Sequence, residues 1–500
     1  MKKVIALACL AMLPMSYAAA EGYQVNAQSA KQAGMGHVGV AMKLGAESMH
    51  FNPAGLAFMN GKIQLSGGVS GIFSDGYMSN AYLKHGMNLD RTFNYGDVKH
   101  EVDNKPGTPF YLFAGFKIYD NLAAGVTVNN QYGSSMNWGK DWIGSHLIQD
   151  IKLQSFTIQP TISWRILDRL SIGAGLMMDF GSIELSRALI GPGEFGRLAN
   201  RMQADLQTAF TNHPEFAAMA QPIVNQLVEN TKLYDDASAA SVTMKGNAGI
   251  RFGFNVGAMF DVNDKITIGV SYRSKIKMKV NEGDIALNYA NQNYLVEKIV
   301  KPMAMVQMLA KQNNIPIPVN IHIPPLDQGT FSSSLPLPSN WNVGITYCPT
   351  NRWTVSGEVQ FVGWSAYDNL SIEFSPSSLS PYNMTAEKNY KNARIYRLGT
   401  EFKATNRFDV RLGAYFDETP VEEDFLNPET PSMSKLGLTC GFSFRPTKPL
   451  SVDFAFAYVT GFGRDGSYSD HSLLTGLPRE FGGHYNIHAF VPTIGVSYGF

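Results

Sequence analysis

Few residues of this chain stand at spacings suited to covalent chemistry. His37 and His50 lie near the N-terminus, but a metal ion needs three or four ligands of fixed geometry, and two isolated imidazoles do not supply them. No serine, histidine and carboxylate recur as a nucleophile with its base. On the residues alone the chain is read as no enzyme, and neither metal nor cofactor is expected. Of the three cysteines, Cys9 falls within an apolar leader, while Cys348 and Cys440 form neither a disulfide framework nor a metal site. What remains is a set of charges and one backbone device. Arg251, Arg273, Glu358, Arg397, Glu401, Arg411 and Asp453 recur on the less apolar face of alternating segments. They could bind a carboxylate, yet buried charges survive by pairing, so they are read as an ion network and not as a ligand site. In Asn52-Pro53-Ala54 the proline removes a donor and restricts its neighbour to extended backbone, and the asparagine amide can bond nearby backbone. That suits a hinge.

The elements that must carry these residues announce themselves by alternation. Phe490, Pro492, Ile494, Val496, Tyr498 and Phe500 fall on one face of the last segment, with Thr493, Gly495, Ser497 and Gly499 on the other. Leu450, Val452, Phe454, Phe456 and Tyr458 oppose Ser451, Asp453 and Ala455 in the same way. The segment after Ile250 sets Phe252, Phe254, Val256 and Phe260 against Arg251, Gly253, Asn255 and Gly257. Period two marks strands with unlike environments on their two faces. Since the second face carries charge and glycine, it is no protein core. Apolar outward and polar inward is the pattern of a barrel in lipid. This alternation turns Cys348 inward and Cys440 outward, so the two are not expected to pair.

Link lengths test the same idea independently. Tight connections rich in Asp, Asn and Pro occur at 119–121, 167–169, 263–264, 349–351, 405–406 and 446–449. Long ones near 73–108, 132–151, 189–241, 281–332, 366–392, 417–433 and 462–484 alternate with them. Short periplasmic turns and long outer loops behave so, and about fourteen strands result. Two of the long loops, 189–241 and 281–332, carry apolar residues at helical spacing, among them Leu198, Met202, Leu206 and Phe210, then Leu295, Ile299, Met303 and Met308. Their apolar faces must bury, either against each other as a cap or against a ligand. Residues 21–60 do not alternate. A barrel of this width is not filled by its own side chains, and this pre-barrel segment is the piece available to plug it.

The first residues set Lys2-Lys3 before an apolar run and Ala18-Ala19-Ala20. This is a secretory leader with cleavage expected after Ala20, its apolar run too short to span a bilayer. Basic and acidic residues balance at 41 each, which argues against a nucleic-acid partner.

Ser29-Ala30-Lys31-Gln32-Ala33-Gly34-Met35-Gly36, Ala41 and Phe51-Asn52-Pro53-Ala54-Gly55-Leu56 resemble the N-terminal hatch of the FadL family. Those are outer-membrane transporters of long-chain fatty acids and related hydrophobic compounds, including the toluene and xylene channels. Ile268-Gly269-Val270-Ser271-Tyr272-Arg273-Ser274, Leu335-Pro336, Trp364, residues 417–421 with Pro420, Gly483-His484-Tyr485, His488 and the terminal Val496-Ser497-Tyr498-Gly499-Phe500 are similar to the family in order along nearly the whole chain. The aromatic terminal strand with Tyr498 and Phe500 resembles the signal read by the barrel assembly machinery. The resemblance implies an all-β fold: a monomeric transmembrane antiparallel barrel of fourteen strands over 61–500, with a hatch in 21–60. It also implies lateral exit of ligand at a kink in the third strand, here 122–132. At that place this chain has Gln131-Tyr132-Gly133, whereas many members have Pro before the aromatic-glycine pair. The function expected is energy-independent uptake of a hydrophobic small molecule across the outer membrane. A passive porin for polar solutes, or an adhesin presenting long loops, are the competing readings.

Overall fold

The computed structural model describes residues 22–315, 325–473 and 476–500. The leader and its cleavage after Ala20 lie outside the described residues. Fourteen antiparallel strands close into a barrel. In order they are β1 (Ile63–Ser70, prolonged by Phe73–His85), β2 (Phe110–Tyr119), β3 (Leu122–Asn129, then Gly133–Asn137), β4 (Asp150–Leu167) and β5 (Leu170–Ile190). Next come β6 (Ala240–Asn263), β7 (Ile266–Arg273, then Ile276–Tyr289), β8 (Thr330–Leu337, then Asn340–Thr350) and β9 (Trp353–Val362, then Asn369–Ser375). The wall ends with β10 (Met384–Glu387, then Ala393–Lys403), β11 (Phe408–Asp417), β12 (Lys435–Thr447), β13 (Leu450–Gly461, then Arg464–His471) and β14 (Pro478–Gly499). Pairing of Gln64 with Gly499 through Ser70 with Thr493 joins first strand to last and closes the wall on itself.

The alternation read from the sequence has its cause in the two surfaces of this wall. Phe252, Leu398 and Leu412 are each 60–65% exposed on the outside, while Arg397 and Arg411 beside them are 8% and 3% exposed. An apolar surface of that extent is stable only against hydrocarbon. Cys440 is exposed on the same outer face, and both cysteines are free.

Several strands outrun the expected spans. Phe73–His85, Asn369–Ser375, Arg464–His471 and the part of Ile276–Tyr289 beyond 280 lie where the sequence suggested loop. Above the bilayer the outer face meets water, so the apolar alternation ends while backbone pairing continues, as Phe73–His85 does against 479–490 of β14. The helical insertions are α-helices at Glu194–Asn212, Pro214–Thr231 and Lys301–Gln312. Leu198, Met202, Leu206, Phe216, Val224, Leu227, Ile299 and Met303 join one apolar cluster with the upper lumen. These faces therefore form a packed cap, and Met219, Met305 and Met308 point away from it, about half exposed. Arg479 ties cap to wall, donating to both Asp470 oxygens at 2.5 and 2.8 Å and standing 3.6 Å from Glu194 at the start of the first helix. Burial, and then the neighbouring Arg479 and Arg187, hold the His146 imidazole in this cap well below its usual range.

Candidate functional site in the barrel lumen

Nearly every residue from Gly22 to Met59 is buried, inside the wall. The segment contains short helices at Ala30–Ala33 and Ser48–Phe51 and a 3-10 turn at Pro53–Phe58. Glycines of the inner wall explain how backbone can lie directly on backbone. A Cβ at Gly257 would strike Asn52 Oδ1, one at Gly269 the Val40 carbonyl, and one at Gly413 the Gly36 nitrogen. These positions are empty of side chain because the N-terminal segment occupies the space.

Asn52 is the most connected polar side chain in the segment. Its Oδ1 accepts from Ala54 N at 3.1 Å and caps the turn that Pro53 begins. Its Nδ2 faces Val40 O at 2.7 Å and, across the interface, Ala258 O and Val270 O of the wall at 3.1 and 3.3 Å. Ala54 is bound to β4 through its carbonyl, which accepts from Ser163 Oγ at 3.0 Å. One amide thus fastens two stretches of the segment to each other and to β6 and β7.

Toward β9–β14 the segment is held by ions. Glu358 accepts from Gly39 N and Val40 N at 2.8 and 3.0 Å with one oxygen, and from Arg397 at 3.0 Å with the other. Arg411 pairs with Glu401 at 2.7 Å and lies 3.7 and 4.0 Å from Asp409 and Asp453. Lys31 reaches Glu47 at 3.3 Å, Asp453 at 3.9 Å and Ser497 at 2.8 Å. Five of the seven charges singled out from sequence fall in this network. Arg251 and Arg273 do not: among the described residues neither forms an ion pair.

Toward β3–β8 the arrangement differs. Asn129, Thr157 and Asp179 stand in register on β3, β4 and β5, and Asn255, Arg273 and Asn340 on β6, β7 and β8. Arg273 is 7% exposed and donates to His50 O at 2.8 Å, with its Nε unpartnered among the described residues. Asp179 Oδ2 also lacks a protein partner. His50 Nδ1 faces Arg273 Nη2 and Asn129 Nδ2 at 3.3 and 3.4 Å, the position of an acceptor nitrogen on a neutral ring. His37 packs instead against Tyr415, 5.4 Å between ring centres. Among the described residues no three His, Cys, Asp or Glu converge to hold a metal.

Above this polar rung lies a small apolar cavity of about 30 Å³ lined by Tyr132, Leu153, Ile183, Met278, Val280 and Leu335 among others. Another of about 30 Å³ lies on the far side of the segment, by His37, Ile72, Tyr415 and Val459. The first cavity abuts an interruption of β3. Its ladder stops at Asn129 and resumes at Gly133, which places Gln131 and Tyr132 in the break. Asn130 donates to Ser155 O at 3.0 Å, and Tyr132 N bonds Ser155 Oγ at 3.1 Å. On the other side β2 begins only at Phe110. There the chain's own start supplies the missing backbone partners: Val25 N donates to Gln131 O at 2.9 Å and Gly133 N to Tyr23 O at 2.8 Å, with Gln24 opposite Tyr132. Tyr23 anchors this patch. Its ring meets Trp364 edge-on at 4.9 Å and Tyr367 at 5.7 Å, and its hydroxyl donates to Pro336 O.

Reading by residue type did not find Tyr23–Val25 as part of the wall. The available signal was a lone aromatic among small and polar residues just past the N-terminal apolar run.

The profile of the outer membrane protein transport protein family (OMPP1/FadL/TodX) matches residues 11–500. The chain belongs to that family. Among curated relatives of this FadL-family barrel, the long-chain fatty acid transport protein of Shigella flexneri is 22% identical over 462 residues, 91% of each chain. Among solved structures, a Pseudomonas aeruginosa FadL homologue superposes with a TM-score of 0.70 at 19% identity, covering 96% of this chain and 100% of that one. The Ralstonia pickettii toluene transporter TbuX gives 0.57 at 16% identity, over 95% and 99%. The protein is an outer-membrane β-barrel.

Proposed function

We propose that this protein passes hydrophobic small molecules, long-chain fatty acids or similar lipophiles, across the outer membrane without energy coupling. In this reading residues 21–60 are a plug, 61–500 the barrel, and ligand leaves sideways through the break in β3. The observation that carries it is the apolar cavity lying against a wall interruption that Tyr23–Val25 helps to close. A lateral path delivers an acyl chain into hydrocarbon and spares it hydration, about 0.8 kcal/mol per methylene. Movement then follows the concentration gradient. Asn52-Pro53-Ala54 is the fastening whose release lets the plug rearrange. The barrel works as a monomer, and Tyr498 and Phe500 serve its insertion by the assembly machinery. The packed lumen disfavours a polar-solute pore, which needs an open water column.

The test is uptake of labelled long-chain fatty acid and of a monoaromatic hydrocarbon by cells lacking any other such channel. Expression of the chain is expected to restore uptake of at least one. Leu335→Trp, which fills the cavity, should lower it about tenfold with the barrel still assembled. Uptake of neither compound contradicts the reading.

A further inference from the structure

On β7 the outer face changes character within a few residues. Ile268 and Val270 are lipid-facing, 42% and 38% exposed. Tyr272 follows, and its ring packs 4.4 Å from Trp341 of β8 and 5.8 Å from Phe254 of β6. Such aromatic clusters sit at the boundary between hydrocarbon and headgroups. Immediately beyond it, on the side away from the chain termini and the short turns, Lys275, Lys277 and Lys279 all project outward and are exposed. Between them Ile276, Met278 and Val280 turn inward, 3–6% exposed. The three ammonium groups therefore form one column up the outside of the barrel.

Elsewhere on the outer wall beyond the apolar belt, four opposite-sign pairs form, and further along β7 Glu282 and Asp284 are exposed. Lys245 meets Glu184 at 2.9 Å, Lys152 meets Asp150 at 3.3 Å, Lys84 meets Glu480 at 2.7 Å and Arg394 meets Glu418 at 3.9 Å. Among the described residues none of these three lysines has a carboxylate within that range. Their neighbours on β8 are uncharged: Lys277 lies opposite Pro336, and Lys279 opposite Ser334. Four residues of strand span about 13 Å, or about 10 Å of depth at a barrel's usual tilt. The headgroup layer of one leaflet is of similar scale, about 5–7 Å, and lysine stems extend along it.

We propose that this column binds the phosphates of outer-leaflet glycolipid, the lipid A of lipopolysaccharide. A lysine column without protein counter-ions, level with anionic headgroups and starting where the aromatic boundary ends, has its counter-ions in the membrane. The consequence is a fixed annular lipid beside β7 and β8, on the wall that backs the lumen cavity.

The test uses full-length protein in phosphatidylcholine nanodiscs, exposed to bisphosphorylated lipid A or to its dephosphorylated counterpart. Lipid retained after washing is counted by mass spectrometry. Wild-type protein is expected to retain the phosphorylated form, less so as salt rises, and not the other. The Lys275→Ser, Lys277→Ser, Lys279→Ser triple variant, checked for heat-modifiable gel mobility, should retain at least about tenfold less. The corresponding triple arginine variant should retain it as wild type does. Equal retention by the serine variant, or equal retention of dephosphorylated lipid, overturns the proposal. Should the serine variant not assemble, the phosphate requirement and salt response of wild-type protein decide the matter alone.

Discussion

The two sides of the buried N-terminal segment are held by different physics. Toward β9–β14, Glu358, Arg397, Glu401, Arg411 and Asp453 satisfy one another and the segment's backbone. Toward β3–β8, Arg273 and Asp179 keep unpartnered atoms, and a cavity opens above them. A paired, buried ion network has one good arrangement and resists change. A rung of incompletely satisfied polar groups beside an apolar void has several arrangements of similar energy. The first side is an anchor, and the second is where a ligand can be accommodated.

The contrast breaks most visibly at Arg411. Arg411→Met leaves Glu401 without the cation it meets at 2.7 Å and takes one of two cations from each of the buried Asp409 and Asp453, which keep Arg445 and Lys31; removal of one partner of a buried pair costs about 3–5 kcal/mol. Denaturant midpoints of the folded, heat-modifiable band should fall accordingly. Asn52→Ala is smaller. It removes bonds to Val40, Ala54, Ala258 and Val270 and should destabilise by about 1–3 kcal/mol. The barrel should still assemble, with altered uptake and higher ion conductance in planar bilayers. Unchanged uptake in Asn52→Ala and in Pro53→Ala removes the gating role of this motif. Arg273→Met should be smallest in stability, within about 1 kcal/mol of wild type, because relief of an unpaired buried guanidinium offsets its lost bond to His50. Its signature is in ligand preference: binding of a long-chain carboxylate weakens while binding of the matching hydrocarbon does not.

The wall was legible in the sequence and the contacts of the N-terminal segment inside it were not. Phe252 beside Arg251, or Leu412 beside Arg411, declares which face meets lipid, because hydrocarbon tolerates no charge. That signal ends with the bilayer, which is why Phe73–His85 and the part of Ile276–Tyr289 beyond 280 read as loops although they pair as strands. Asn52-Pro53-Ala54 and Gln131-Tyr132-Gly133 were singled out on local backbone chemistry and on resemblance to the family. Neither pattern says that Asn52 spans to Val270, or that Gln131 is partnered by Val25. Those contacts join residues more than a hundred positions apart, and no local period encodes them. The abundance of inner-face glycine was visible, but its reason, close approach of a second backbone, needs both partners in view.

The account rests on Tyr23–Val25 leaving the β3 break when ligand passes. Gln24 and Tyr132 are opposed across an antiparallel bridge, a separation a disulfide can span. With Cys348 and Cys440 replaced by serine, Gln24→Cys combined with Tyr132→Cys should lose most uptake on oxidation and regain it on reduction. Full uptake by protein whose cross-link is verified by mass spectrometry contradicts the account.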